Sequence, residues 1–443
     1  MLAAWIALPL PLRLVLLGLL GLIAGSFANW AIYAWAYFKA PISPWSRPLP
    51  SQSARPWYSR LPVVGWWARG SEAPAQLVAA RERLTKMGYL VPKDWKPRLP
   101  FWVRPMLIEL SLGFALPWLY WYETETGQLL PLAMQGPAVL AMHSGWFHWM
   151  FLGHAGLLLF MVIATFIDFD EQMIPDMITI PGTLLALLWA TLSLETFLPI
   201  LRVQDGVATI LPCTFAAPWP LSADWMQWPG LAVGLALWSG WCFALSTRVV
   251  ILRRGLRKAV RYFFALMRRD PMSKWLLLIW AIGVVAVAGV WSQGGTHWHG
   301  LLTGLVGLAI GGGTIWAVRL VAGAAMGEEA MGFGDVTLMA MIGAIVGWQA
   351  TGVAFFIAPL TSIFIVLIAV ITTGQRATPF GPYLCAGTVV TVLFWPTVWS
   401  SVVLPALLLG PTFLIVMLVS LLAMGVLLGV WRTIKQRLFV PAE

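Results

Sequence analysis

The sequence predicts an all-α, polytopic transmembrane helix bundle with about 11 spans and a mostly irregular cytoplasmic loop near the N-terminus. Hydrophobic residues occupy 60% of the 443 positions and charged residues only 10%, whereas soluble domains are roughly a quarter charged. Apolar runs of about 17–25 residues, long enough to cross a bilayer, recur along the chain. The predicted spans lie near residues 14–37, 106–122, 148–167, 177–201, 229–247, 275–293, 300–322, 335–349, 351–371, 382–402 and 405–430.

The basic residues predict the orientation of the spans. Of the 28 Lys and Arg residues, twelve lie within 39–104 and nine within 248–274. The positive-inside rule makes both stretches cytoplasmic loops, together with the basic C-terminal tail. An odd number of spans with the N-terminus outside places all three on that side. Because the net charge of +10 reports orientation, the sequence predicts contact with the lipid bilayer and no nucleic-acid partner.

The first polar motif is an acidic cluster at the end of the third predicted span, "TFIDFDEQMIPDMITIPG". Pro175 biases the preceding residue away from helix, and Asp176 can cap the helix that follows. An acidic turn with one helix cap explains most of this cluster. It explains Asp168 least well, because a carboxylate at the membrane edge needs a partner in space.

The second polar motif, "AMGFGDVTLM", opens the eighth predicted span. Gly332 and Gly334 remove two Cβ atoms, so the chain can turn and another chain can approach it closely. Asp335 then begins a helix, and taken alone a glycine turn with an Asp cap is an adequate explanation. The predicted topology places this motif and Asp168 on the same cytoplasmic face, so the two carboxyl groups can meet.

Two such carboxyl groups are typical of an aspartic-protease dyad. A closely spaced pair shares one proton, so one member acts as a base on water and the other as an acid on the scissile carbonyl. This chemistry requires no metal or cofactor. The helix ends favour Asp335, near a helix N-terminus, as the base and Asp168, near a helix C-terminus, as the acid.

Both motifs, together with "TPFGPYLCAG" near the C-terminus, resemble the type IV prepilin peptidases, membrane aspartic proteases with a G-x-G-D signature. The resemblance implies that Asp168 and Asp335 are the catalytic pair. It also implies a substrate: a prepilin or pseudopilin whose short basic leader ends in Gly and is cut before a hydrophobic helix, at the cytoplasmic face of a bacterial inner membrane. The implied supporting residues are Pro175, Asp176, Gly332, Gly334, Pro379 and Gly381.

An earlier stretch, "GLIAGSFANW", is similar to the family's G-S-F-x-N, and "RLPVVGWWARG" and "RPMLIEL" are similar to two further segments. In the family they belong to the half linked to methylation of the new N-terminus, which implies roles for Gly25, Ser26 and Asn29. A closely packed Gly/Ser helix beside an amphipathic loop is the structural alternative. S-adenosylmethionine is implied as a cofactor only if methylation is retained.

The sequence also departs from the family pattern. Many members carry two C-x-x-C pairs in the loop at 39–104, which has no cysteine here, and Thr337 replaces a common Lys. The three cysteines have no paired spacing, so no metal site is predicted. The resemblance divides the chain into an N-terminal anchor with its loop at 1–105 and a peptidase domain at 106–443, with insertions at about 201–228 and 248–274.

Two other functions remain alternatives. A transporter or channel could use the same acids as a proton or cation relay, although the acids lie at span ends and the sequence has no evident inverted repeat. An inactive structural component of a pilus or secretion machine is the second alternative. The complete acidic motifs favour the peptidase over both.

Overall fold

A computed structural model describes residues 2–39, 57–68, 101–246, 271–327, 331–373 and 379–439, with isolated positions 78, 82, 85, 86 and 265. Most of the predicted loop at 39–104 and of the insertion at 248–274 lies outside the described residues. The elements are α1 (Leu2–Ile6), α2 (Leu10–Ala34), α3 (Val64–Ala68), α4 (Val103–Thr124), α5 (Pro137–Met142), α6 (Ser144–Glu171), α7 (Asp176–Leu192), β1 (Pro199–Gln204), β2 (Val207–Pro212), α8 (Trp228–Leu245), α9 (Pro271–Gln293), α10 (Gly295–Met326), α11 (Phe333–Thr373), α12 (Gly381–Leu393), α13 (Trp395–Val398), α14 (Leu404–Leu408) and α15 (Pro411–Phe439). Short 3₁₀ helices at Trp57–Arg60, Leu132–Met134, Leu194–Thr196 and Ala223–Met226 connect some of them, and a π-helical turn lies at Trp399–Val403.

The predicted all-α, polytopic fold class is confirmed. Among the described residues, seven helices are long and apolar enough to cross a membrane, and eight crossing elements result if α12 and the bent segment after it count as one. This number is smaller than the eleven predicted spans, although every predicted span falls on a helix. The difference arises because α4 and the 17-residue α7 fall outside that set, and because α11 counts once although it contains two of the predicted spans. Those two helical segments meet at the non-helical residue Gly347, and Met339 and Thr351 on either side of it both lie against Gly311.

The predicted span at 177–201 extends beyond its helix. The helix α7 ends at Leu192, and strands β1 and β2 follow as an antiparallel hairpin in which Pro199 lies opposite Pro212. Asp205 and Gly206 form its turn with φ of 53° and 79°, which fits the Asp-Gly turn that matches strand twist. That dipeptide was the available sequence signal for the hairpin.

The helices α10 and α11 form the centre of the bundle. Their backbones approach so closely that a methyl group added at Gly307 would lie 2.0 Å from the carbonyl oxygen of Gly343. Small residues at such a crossing allow membrane helices to pack backbone against backbone. The first half of α11 is buried almost throughout, including Leu338 and Ile342. Because this buried helix begins near Asp335, that carboxyl group lies at the edge of the core.

Tryptophan side chains fix the hairpin and its neighbouring connections at the end of the bundle opposite Asp335. The indole N–H of Trp395 donates to the carbonyl of Pro199 over 3.0 Å, and that of Trp298 donates to the carbonyl of Trp225 over 2.8 Å. These bonds satisfy one backbone carbonyl at the start of β1 and one in the connection that follows the hairpin. The connection is therefore a packed cap on that end.

Candidate active site

Two of the acids in the first motif have structural partners. The Asp170 carboxylate forms a two-pronged ion pair with Arg104, with N–O distances of 2.6 and 2.9 Å. The Glu171 carboxylate accepts hydrogen bonds from the amides of Tyr37, over 2.8 Å, and Phe38, over 2.9 Å. These contacts attach the start of α4 and the segment after α2 to the end of α6.

A third acid begins the next helix. Pro175, with φ −71° and ψ 143°, occupies the N-cap position of α7, and Asp176 is the first helical residue. The sequence had predicted that Asp176 caps this helix, but Asp176 is its first helical residue. Its negative charge therefore lies within the first turn, where it stabilises the helix N-terminus. Burial, followed by the charges of Asp176 and Glu171, raises the pKa of Tyr37, so this acid lies beside the segment that follows α2.

The fourth acid, Asp168, points into the bundle and is only 4% exposed. Its Oδ2 accepts a hydrogen bond of 3.1 Å from the amide of Gly381, the first residue of α12. The carboxyl group thus lies at a helix N-terminus as well as at the end of its own helix. The sequence analysis assigned Asp168 as the acid only because it lies near the C-terminus of its own helix. The N-terminus of α12 favours the charged form of the same carboxyl group, so the helix ends no longer support that assignment.

Asp335 lies in the first turn of α11 and is 7% exposed. Its carboxyl group interacts electrostatically with Asp168 and Arg319 and forms a hydrogen bond with the backbone of Gly332. The guanidinium of Arg319 lies 5.8 Å from the ring centre of Phe333. The structure therefore brings the two predicted aspartates together and adds a basic residue from α10 that the sequence analysis missed.

A buried isoleucine explains why two of the motif glycines are needed. Ile174 packs between the start of α11 and the start of α12. A methyl group added at Gly334 would lie 2.8 Å from its Cβ, and one at Gly381 would lie 2.9 Å from its Cδ1 and 2.5 Å from Oδ2 of Asp168. All three distances are far below van der Waals contact, so glycine is required at both positions for the three segments to meet.

The remaining motif residues have other surroundings. The described atom nearest to a methyl group at Gly332 would be Oδ2 of Asp335, at 3.7 Å, so a side chain fits there. Pro379 lies in the segment immediately before α12. The hydroxyl of Thr337, at the position where the family usually has Lys, donates to the carbonyl of Gly334 over 3.0 Å. This residue therefore tightens the first turn of α11.

The residues implied in methylation surround one fully buried carboxylate, Glu109 of α4. Its Oε1 accepts hydrogen bonds from the hydroxyl of Ser26 (2.7 Å), the amide nitrogen of Asn29 (3.2 Å) and the indole of Trp66 (2.8 Å). The backbone amide of Val63 donates to Oε2. Three separate segments of the sequence thus meet at Glu109, a residue that the sequence analysis had not singled out.

This arrangement does not fit a site for S-adenosylmethionine. A methyl group at Gly25 would lie 2.5 Å from Cα of Glu109, so α2 and α4 are already in direct contact there. Ser26 and Asn29 direct their polar groups at a carboxylate that the protein itself has surrounded. Within the described part of the chain, these residues hold the loop against α2 and α4, and no reaction step is assigned to the cofactor.

The fold and the site define a polytopic helical membrane protein with two buried aspartates at adjoining helix ends. Similar curated proteins are called "Prepilin leader peptidase/N-methyltransferase". The protein from Pseudomonas putida is 30% identical over 129 residues, which is 28% of this chain and 41% of the relative. That from Burkholderia pseudomallei is 30% identical over 127 residues (28% and 39%), and that from Aeromonas hydrophila is 31% identical over 105 residues (20% and 35%).

The chain therefore spans about two fifths of the length of these relatives. The agreement among them supports the prepilin peptidase family, in line with the resemblance that the motifs carry. No family profile matches the chain, and no solved structure matches it.

Proposed function

We propose that this protein is an aspartic endopeptidase that removes the short basic leader of prepilin-like proteins at the cytoplasmic face of a bacterial inner membrane. The observation that carries the proposal is the proximity of two buried carboxyl groups at one end of the bundle, that of Asp168 in the last turn of α6 and that of Asp335 in the first turn of α11. The names of the similar proteins support the same substrate class. The proposal covers cleavage and leaves methylation aside, because the residues implied in methylation surround Glu109.

The chemistry follows from a carboxyl pair that holds one proton. The ionised member takes a proton from water while the water oxygen attacks the scissile carbonyl carbon, and the protonated member gives its proton to the carbonyl oxygen. The tetrahedral diol then collapses: the C–N bond breaks as the leaving nitrogen takes the proton that the pair holds, and the C=O bond re-forms as one diol hydroxyl gives its proton to the other carboxylate of the pair. The products are a leader carboxylic acid and a free amine, and the pair again holds one proton.

The end of the bundle that holds the pair supports the cytoplasmic assignment. The segment that leads into the basic stretch at 39–104 is bound there by Glu171, and the stretch returns at Arg104, which is bound by Asp170. At this end, the guanidinium of Arg432, in the basic tail, lies beside Gly327, which closes α10. Basic segments flank membrane spans on the cytoplasmic side.

The test is cleavage of a co-expressed prepilin-like protein from the same genome by the wild-type chain and by Asp168→Asn, Asp335→Asn and Asp170→Asn. General acid–base groups contribute about 10²–10⁴-fold to rate, so the first two variants should lose processing by at least that factor. Asp170→Asn is the matched control, because it neutralises a carboxyl group of the same helix turn that pairs with Arg104. Full processing by either of the first two variants, or an equal loss in Asp170→Asn, contradicts the proposal.

A further inference from the structure

An apolar groove runs between α4 and α12, with α6 as its floor. It encloses about 110 Å³, and its walls include Ala115, Leu157, Met161 and Val389. At its far end the hydroxyl of Tyr122 donates to a carbonyl of α12, that of Leu393, over 2.5 Å. The groove is therefore closed at the end remote from the aspartates.

The floor and one wall of this groove lead to the candidate active site. The helix α6 carries Asp168 in its last turn. The helix α12 begins at Gly381, whose amide donates a hydrogen bond to that aspartate. Met161 and His154 of the groove precede Asp168 by about two and about four helical turns. At 1.5 Å per residue, the groove extends from about 10 Å to about 21 Å from the carboxyl pair.

One of the residues that line this apolar groove, His154, has a buried polar atom without a partner among the described residues. His154 is 5% exposed, and its Nδ1 lies 2.7 Å from Oε1 of the fully buried Glu123. Its other ring nitrogen, Nε2, has no hydrogen-bond partner among the described residues. An unpaired buried polar group is destabilising, so a ligand that offers a hydrogen bond there gains affinity.

We infer that the apolar transmembrane helix of the substrate packs over this groove and inserts apolar side chains into it, and that His154 Nε2 pairs with a hydroxyl or amide side chain about 14 residues beyond the cut. The inference rests on the proposed function. A peptide that is cut at the pair and continues along α6 passes this groove within the bilayer, where its backbone has to be helical to satisfy its own polar groups. A lipid chain also fits the groove, but its hydrocarbon tail carries no group that can pair with Nε2.

Photo-crosslinking tests the occupant directly. The inactive Asp168→Asn/Asp335→Asn chain, reconstituted in nanodiscs, carries a benzophenone side chain at Val389. It is mixed with a synthetic substrate made of a basic leader ending in Gly and about 20 apolar residues. The expected adduct maps to the substrate helix about 7–14 residues beyond the cut. The control probe replaces Phe114, which is 71% exposed on α4 and next in sequence to groove residue Ala115. Lipid adducts alone at Val389, or equal substrate adducts at both positions, overturn the inference.

Kinetics separate this inference from the proposed function. Ala115→Trp fills the groove, and Phe114→Trp makes a change of similar kind on the adjacent lipid-facing position. For the helical substrate, Ala115→Trp should raise KM about tenfold or more, since lost burial of two apolar side chains is worth that much. A short peptide that ends a few residues beyond the cut should be cleaved equally by both variants. If the wild-type chain cleaves neither substrate, the proposed function fails; if Ala115→Trp cleaves the helical substrate like wild type, only the groove assignment fails.

A scan of the substrate tests the pairing with His154. A single Ser is moved along the apolar helix of the synthetic substrate, and kcat/KM is measured at each position. Cleavage should be best with Ser about 14 residues beyond the cut, and this preference should disappear in the double variant His154→Phe/Glu123→Met, which leaves no orphaned carboxylate. A preference that persists in this double variant, or a flat scan with the wild-type chain, overturns the assignment of His154.

Discussion

The amide of Gly381 donates a hydrogen bond of 3.1 Å to Oδ2 of Asp168, across 213 residues of sequence. The bond places this carboxyl group at the N-terminus of α12, where unpaired helix amides favour negative charge. Because α11 begins beside Asp335, each carboxyl group faces a helix N-terminus. The site is therefore an assembly of three helix ends, and its geometry depends on how closely those ends approach.

Gly381→Ala should reduce cleavage without unfolding the protein. The added methyl group would lie 2.5 Å from Oδ2 of Asp168, so the carboxyl group must move, and a displacement of about 1 Å at a catalytic group can lower the rate about 10²-fold. The measurement is kcat on a prepilin-like substrate, with thermal unfolding recorded in parallel. Gly352→Ala is the control, because a methyl group there meets no described atom within 4 Å. Wild-type kcat in Gly381→Ala would show that the carboxyl group tolerates the displacement.

The two glycines of the G-x-G-D segment should respond differently to alanine. A methyl group at Gly334 would lie 2.8–3.0 Å from atoms of Ile174, whereas one at Gly332 meets its nearest described atom at 3.7 Å. Gly334→Ala should therefore lower cleavage by about tenfold or more, and Gly332→Ala should stay within about threefold of wild type. Processing of the same substrate at equal protein levels measures both. Equal losses in the two variants would contradict the steric explanation.

The sequence was sufficient to place the two aspartates because span length and positive-inside bias act through composition alone. Both residues end or begin an apolar run, and the structure brings these two helix ends to the same end of the bundle. The sequence could not predict that Ile174 separates Gly334 from Gly381. That contact depends on the rotation and tilt of three helices, which packing sets and residue spacing does not.

Three further features, the buried Glu109, the Arg104–Asp170 ion pair and the hairpin turn, had only weak signals in the sequence. Glu109 lies inside a predicted span, where an ionisable residue normally has a specific partner, but the partners come from two distant segments. Arg104 likewise binds Asp170 across 66 residues. The Asp205–Gly206 turn is a short-range signal, yet the apolar run from 177 to 201 concealed the end of α7.

Glu109→Leu should release the segment at 57–68 from the membrane helices. The change removes a buried carboxylate that accepts four hydrogen bonds, and each donor left unpaired costs about 1–3 kcal/mol. Trypsin cleavage after Arg60 should become about tenfold faster or more, because local opening exposes the backbone there.

Ser111→Ala is the matched control for this variant. Ser111 lies half a turn from Glu109 on the same helix. Among the described residues its hydroxyl donates a hydrogen bond only to the carbonyl of Ile108, so its loss should leave the loop in place. Glu109→Gln should lie between the two, since an amide oxygen can still accept while its NH₂ group faces donors. Unchanged trypsin sensitivity in Glu109→Leu would show that other contacts hold the loop.

Ile174→Ala should lower both stability and turnover, because this side chain fills the space between the starts of α11 and α12. Truncation of a buried isoleucine costs about 2–5 kcal/mol, and the cavity lets the segments that carry Asp168 and Asp335 shift relative to each other. Thermal unfolding should therefore begin at a lower temperature, and kcat should fall more than KM rises, because the side chain packs behind the carboxyl pair. Met173→Ala is the matched control, since the preceding side chain is exposed. An equal response of the two variants would place the determinant of the pair's geometry elsewhere than in this contact.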